Sequence, residues 1–242
     1  MNHRIPTNPL FNPRDRRSRP EASDYLSYLS RQPYKKAGNV YPLYLPTQAG
    51  RWRRLCRRGF EIGCSLGGIV LLLSWLLPIL GLLIILESRG PVLFSQRRGG
   101  RYQKPFTCFK LRTMRPHAHA DDFNTRPDAK YITPFGQWLR RTSLDELPQF
   151  FNVLMGNMAL VGPRPHMLAH DDYYAKRIPN YALRYSVKPG ITGLAQVSGC
   201  RGNIESDRDM IQRVQYDLFY IHHRSVWMDL KILWRTVFHR TG

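Results

Sequence analysis

Arg140 to Pro165 reads RRTSLDELPQFFNVLMGNMALVGPRP. An adjacent acid pair, Asp145 and Glu146, sits inside it, with Arg140 and Arg141 before and Arg164 after. Neighbours on a helix point about 100° apart and do not face each other. The two acids therefore do not flank one scissile bond, as glycosidase carboxylates do. They take different jobs. One carboxylate can attack phosphorus as an aspartyl nucleophile. The other can hold Mg²⁺, a hard cation that takes oxygen ligands, while arginines neutralise phosphate charge. The pattern points to phosphoryl transfer. Ser143-Leu-Asp-Glu146 is also a capping box, S-x-x-E, in which Glu146 returns to the Ser143 amide. Pro148 disturbs that reading, because a helix begun at Leu144 would lose a backbone bond there. Both readings stand at this level, since a helix N-terminus also attracts phosphate.

Working outward, Phe150, Phe151, Val153, Leu154 and Met155 form an apolar helical stretch suited to the core. Gly162-Pro163-Arg164-Pro165 is a rigid loop, either a plain turn or a fixed phosphate clamp. Upstream, residues 91–95 read as a strand and residues 97–101 as a basic turn. Residues 105–112 alternate as a second strand, with Lys110 and Arg112 on the face opposite Phe109 and Leu111. His117, His119, Asp121 and Asp122 match no standard metal spacing and read as a solvated loop. Downstream, residues 166–185 are helical, with Pro179-Asn180 interrupting. Tyr173, Tyr174, Tyr181 and Tyr185 pack either on lipid or in the core. In residues 188–193, KPGITG, two glycines let backbone approach a ligand. Residues 206–223 form a helix. A last helix carries Val226, Leu230, Leu233, Trp234 and Val237 as an apolar stripe, fit for a membrane interface or for a core.

The 242 residues carry 37 basic and 17 acidic side chains, a formal charge of +20, which calls for anionic partners. Cys56, Cys64, Cys108 and Cys200 form no C-x-x-C pair and read as reduced packing residues. Residues 1–50 lack a sustained apolar period and read as a flexible basic tail. Residues 51–88 read as a membrane element with a basic flank. From Cys64 to Leu86 there is no charge, and a straight helix of that length would run about 35 Å, enough to span. Yet basic residues lie on both sides, and Pro78 interrupts the ladder at the Ser74 carbonyl. Both features favour a re-entrant helix with its two ends on one face; a plain span is the competing reading. A membrane-tethered basic protein that binds anionic lipid or nucleic acid fits the charge as well, but leaves the acid pair and its arginines unexplained.

Four blocks together resemble the bacterial sugar transferases, the monotopic polyprenol-phosphate phosphoglycosyl transferases. They are residues 143–165, GPVLFSQR at 90–97, FKLRTM at 109–114 and KPGITGLAQV at 188–197. The resemblance runs from about Trp52 to the C-terminus. It implies an α/β monotopic membrane protein: an N-terminal re-entrant helix, a small cytosolic catalytic body over residues 89–242, and interfacial amphipathic helices. It implies transfer of a sugar-1-phosphate from a UDP-sugar to polyprenol (undecaprenyl) phosphate, with release of UMP. Asp145 would be the nucleophile. Glu146 would position Mg²⁺ or orient the acceptor, the two acids being the metal candidates. Lys110, Arg112, Arg140, Arg164, Gln196 and Arg201 would bind phosphates and uridine. The setting would be the cytosolic face of the bacterial inner membrane, at the first step of exopolysaccharide, capsule or O-antigen assembly. Membrane lipid is an expected partner and nucleic acid is not; a homodimer is left open. Residues 198–221 resemble the branch that transfers glucose or galactose phosphate.

Overall fold

The computed structural model describes residues 50–115, 131–178, 180–202, 204 and 206–238. The expected tail over residues 1–49 and the polar loop with His117, His119, Asp121 and Asp122 lie outside them. The chain enters through a long apolar helix in three parts: α1 (Arg51–Gly68), a π turn (Ile69–Leu73) and α2 (Ser74–Glu87). By length and composition, Arg54–Glu87 is apolar enough to cross a membrane. The ladder widens upstream of Pro78, not at it. In the π turn the backbone bonds reach five residues back, from the Ser74 N–H to the Ile69 carbonyl, and two side chains also bond to carbonyls four residues back. Ser74 Oγ donates to the Val70 carbonyl at 2.6 Å, and Trp75 Nε1 donates to that of Leu71 at 2.7 Å. These side-chain bonds give two carbonyls of the irregular turn a donor within the same helix, as apolar surroundings favour.

Two small sheets follow. β1 (Leu93–Gly99) pairs antiparallel with β2 (Pro105–Leu111), in a register from Leu93↔Leu111 to Gly99↔Pro105. The basic turn expected at residues 97–101 is thus largely strand. Arg97 and Arg98 continue the alternation, and the chain reverses only at Arg101–Gln103. β3 (Ala159–Val161) pairs parallel with β4 (Gly190–Thr192). The mixed helix-and-strand class is as expected, with each sheet only two strands wide. At the β3–β4 contact the backbones nearly touch. A Cβ on Gly190 would meet the Gly162 nitrogen at 2.1 Å, so only glycine fits there. This contact joins the two proline-glycine loops of the sequence.

The remaining helices are α3 (Pro134–Thr142), α4 (Gln149–Leu154), α5 (Leu168–Ala175), α6 (Leu194–Val197), α7 (Asp207–His223) and α8 (Val226–Phe238). α3 starts with Thr133 as N-cap and Pro134 at its first position. α7 starts with a full capping box, Ser206 to Asp209. Tyr174, Tyr181 and Tyr185 are buried, which settles those three for the core. The apolar stripe of α8 is not core: Val226, Leu230, Trp234 and Val237 are all exposed. The helix packs through its other side, with Ile232 buried, Asp229 paired with Arg57 at 3.0 Å and Thr236 bonded to Thr192.

The long apolar helix is bonded to the body at both ends. Near its start, Arg57 donates to the Val161 carbonyl and Tyr220, and Arg58 to the carbonyls of Val153 and Leu154. Near its end, Leu80 and Ile84 form one core cluster with Leu111 of β2 and Leu139 of α3. Glu87 then accepts the Phe135 amide at 2.8 Å, in the first turn of α3. Fully burying side chains of this kind stabilises by about 1.5–3 kcal/mol each. The helix is therefore part of the core on which the acid pair rests.

Candidate active site

The acid pair lies between two helices. α3 ends at Ser143, which adopts a left-handed conformation with φ 54°. A single 3₁₀ turn, Leu144–Glu146, follows, and α4 begins only after Pro148. Pro148 thus sits where its missing N–H is harmless. The left-handed Ser143 breaks the helix that a capping box would need, and its side chain caps nothing. Glu146 turns instead to two cations. Lys110 Nζ lies 2.7 Å from Glu146 Oε1, and Arg164 grips both carboxylate oxygens of Glu146. Asp145 is buried, at 7% exposure, and its nearest cation is Lys110, 3.9 Å from Oδ2. Among the described residues it accepts no hydrogen bond.

This division of partners separates the two acids chemically. Burial pushes the Asp145 carboxyl above the ordinary range; Lys110 opposes this, the Glu146 charge adds to it, and Arg164 and Arg140 oppose it. Burial alone would raise Glu146 too, but Arg164 and Lys110 outweigh it and hold that carboxyl well below the ordinary range. Glu146 is a fixed anion, whereas Asp145 is a desolvated, underbonded carboxylate, the condition of a nucleophile.

The structure brings together Lys110, Arg140, Arg164 and Arg201 of the expected ligands. Arg140 donates from Nε to Thr113 Oγ1 at 2.8 Å; burial pulls its guanidinium below the usual arginine range, and the Asp145 charge opposes this. Arg201 donates to Ser143 Oγ, two residues before Asp145. Two others lie elsewhere. Arg112 does not share the Lys110 face, because β2 ends at Leu111. Its guanidinium is buried on the carbonyls of Ile84, Ser88 and Arg89, at the end of the long apolar helix. Gln196 is buried under its own loop, with Nε2 directed to the Ile191 carbonyl at 3.4 Å.

Some of the support was not singled out from sequence. Arg98, read as part of a turn, donates to the Pro165 carbonyl at 2.8 Å. Arg184 donates to the Arg164 carbonyl at 2.8 Å and pairs with the buried Asp217 at 2.7 Å. These bonds hold the Gly162–Pro165 loop from behind, so the Arg164 guanidinium meets Glu146 in one geometry. A lone Arg184 among tyrosines carries no local signal of that contact.

Carboxylates suit Mg²⁺, which binds through one or two of them plus substrate phosphates. Asp145 has free oxygen valence for this. Both oxygens of Glu146 already face cationic donors, so Asp145 is the freer of the two as a ligand.

The sequence profile of the family described as bacterial sugar transferase matches residues 52–241. This chain belongs to the bacterial sugar transferase family. Among curated relatives, the UDP-glucose:undecaprenyl-phosphate glucose-1-phosphate transferase of Caulobacter vibrioides is 53% identical over 67% of this chain and 61% of its own length. The undecaprenyl-phosphate galactose phosphotransferase of Salmonella typhimurium is 37% identical over 78% of this chain and 41% of its own length. The chain thus spans less than two thirds of either sugar transferase. The exopolysaccharide production protein PSS of Rhizobium leguminosarum is 40% identical over 75% of this chain and 92% of its own length.

Proposed function

We propose that this chain transfers a hexose-1-phosphate, glucose or galactose phosphate, from a UDP-sugar to undecaprenyl phosphate. The observation that carries this reading is the unequal acid pair: Asp145 buried without a hydrogen bond, beside Glu146 held by Lys110 and Arg164. In the first step an Asp145 oxygen attacks the β-phosphorus. The bond from that phosphorus to the oxygen bridging the α-phosphate breaks, and UMP leaves with the electron pair. In the second step a phosphate oxygen of the lipid attacks the same phosphorus. The Asp145 carboxylate is expelled, and the lipid leaves as its diphosphate-linked sugar. Lys110, Arg140 and Arg164 neutralise the charge that builds on the phosphates. Arg201, exposed at the rim beside Ser143, faces the incoming nucleotide. Mg²⁺ held by Asp145 and the diphosphate would add further charge neutralisation. Glu146 acts by fixing Lys110 and Arg164.

The relatives' names, for UDP-glucose and undecaprenyl-phosphate substrates and for exopolysaccharide production, support the same reaction at the start of polysaccharide assembly. The membrane topology in this reading is re-entrant, with the body on the cytosolic face. Its support is that Arg57 and Arg58 at one end, and Leu80 and Ile84 at the other, hold a single body. A helix crossing the bilayer would need that body on both sides. The exposed apolar stripe of α8, bordered by Lys231 and Arg235, suits the same interface. The deciding experiment measures UMP release by the full chain across a panel of UDP-sugars, with and without undecaprenyl phosphate. Release from UDP-glucose or UDP-galactose that turns over only with the lipid is the expected result. No release with any UDP-sugar would overturn the reading.

A further inference from the structure

At the opposite end of α4 from the acid pair, two cations face one small open volume. Gly156 follows the helix with φ +84°. A Cβ built on it would lie 3.5 Å from both Arg58 Nη2 and Lys188 Nζ, with no other side chain nearer among the described residues. Arg58 is immobilised there, since its two terminal nitrogens cap the carbonyls of Val153 and Leu154. Lys188 is half-buried, and among the described residues it makes no hydrogen bond or ion pair. Burial and the Arg58 charge both pull its ammonium below the usual lysine range; Glu61 opposes them and Arg101 adds to them. Glu61, the nearby carboxylate, is already shared between Arg57 at 3.2 Å and Arg58 at 3.6 Å. Among the described residues the local balance therefore lacks an anion.

The surroundings identify the kind of anion. Arg58 lies in the first turns of the apolar helix Arg54–Glu87. Leu55, three residues before it on the same helix face, is exposed, and so is Met155, next to the capped carbonyl. A cationic cleft flanked by bare apolar side chains matches a phosphate with acyl chains attached better than a free anion. A phosphate oxygen accepts from such donors at about 2.7–2.9 Å. The glycine keeps the cleft open, because any side chain would fill it and its φ disfavours one.

We propose that Lys188 and Arg58 bind the headgroup phosphate of an anionic phospholipid over Gly156, at the rim of the membrane helix. The site is separate from the acid pair and rests on the membrane association of the helix, not on sugar transfer. It would seat the helix entrance, and with it α4, against the leaflet.

The test uses the full chain in nanodiscs of phosphatidylcholine, with and without phosphatidylglycerol, and reads the melting temperature. A ligand at about 100 times its Kd raises Tm by about 5–10 °C in a protein of this size. Wild type is expected to show such a rise with phosphatidylglycerol. Lys188→Gln should lose at least half of it, and Lys188→Arg should keep it. Because each variant is compared with itself in neutral discs, a lower starting Tm does not obscure the result. A full rise in Lys188→Gln overturns the site. If millimolar inorganic phosphate in neutral discs gives the same Lys188-dependent rise, the lipid assignment is overturned.

Discussion

Arg164 bonds to Glu146 and acts on Asp145 only through its charge. The guanidinium grips both oxygens of the second acid, while the first, one residue earlier, has among the described residues Lys110 at 3.9 Å as its ion partner. Two adjacent carboxylates thus receive opposite treatment: one neutralised by contact, one desolvated and left reactive. Every expectation about the chemistry depends on that asymmetry.

Asp145→Asn is expected to abolish transfer, since an amide cannot serve as the anionic nucleophile. It should also leave the protein at least as stable at neutral pH. Burial holds the Asp145 carboxyl above its unfolded value, so its favourable contribution is complete below about pH 3.9. That contribution is lost as pH rises through the folded value. At pH 7 the ionised form is a burden that the amide removes. UMP assays beside thermal melts check both halves. Retained turnover sinks the nucleophile, and a melting point several degrees lower sinks the burial argument.

Activity should fall on the acid side at a higher pH than an ordinary aspartate would give, because Asp145 must be ionised to attack. Lys110 is the largest charge opposing the upward shift. Lys110→Gln should therefore move the acid limb of the single-turnover pH profile further up, besides slowing the step. An unmoved limb would mean that another group sets it.

Glu146→Gln removes the anion between Lys110 and Arg164 and leaves two cations facing each other. Breaking a buried pair in this way is expected to destabilise by about 3 kcal/mol, with turnover falling about 100-fold. The folded carboxyl sits below its unfolded value, so its stabilisation is present above about pH 4.3. It is lost as pH falls through the lower folded value. Normal turnover with only a small loss of stability would return Glu146 to a capping role.

Arg112→Gln should lower the melting point and kcat but leave the KM for UDP-sugar within about twofold. Its guanidinium serves the carbonyls of Ile84, Ser88 and Arg89, and losing such charged hydrogen bonds costs about 1.5–3 kcal/mol. A large rise in KM at unchanged stability would make Arg112 a substrate ligand after all.

Cysteine labelling in intact cells tests the topology. Single cysteines at Trp52 and Lys104, in a background without Cys56, Cys64, Cys108 and Cys200, should both resist an impermeant reagent. Labelling at Trp52 alone would show that the helix spans.

Much of this site was readable from the chain, because Asp145, Glu146, Lys110 and Arg164 belong to short motifs whose residue types announce phosphate chemistry. The second strand followed from alternation and the last helix from its apolar stripe, whereas the first strand, read over residues 91–95, runs on to Gly99. What was not readable depended on where chain segments end and meet. Nothing local says that β2 stops at Leu111, which sends Arg112 to the end of the long apolar helix. The capping-box pattern at Ser143 was locally valid, but the left-handed serine and the pull of Lys110 and Arg164 overrode it. Arg184 reaches the back of Arg164 from 20 residues away in sequence, a contact only tertiary packing creates.

The cluster of Leu80, Ile84, Leu111 and Leu139 also orders events during synthesis. The ribosome releases Leu80 and Ile84 well before their partner Leu139. At usual elongation speeds the wait is about 3–11 s. A soluble nascent chain would carry that bare apolar face through the interval as an aggregation hazard. On the proposed membrane-bound reading, a bilayer would shelter the helix until β2 and α3 arrive, and would serve as a temporary folding partner before it served as the working surface.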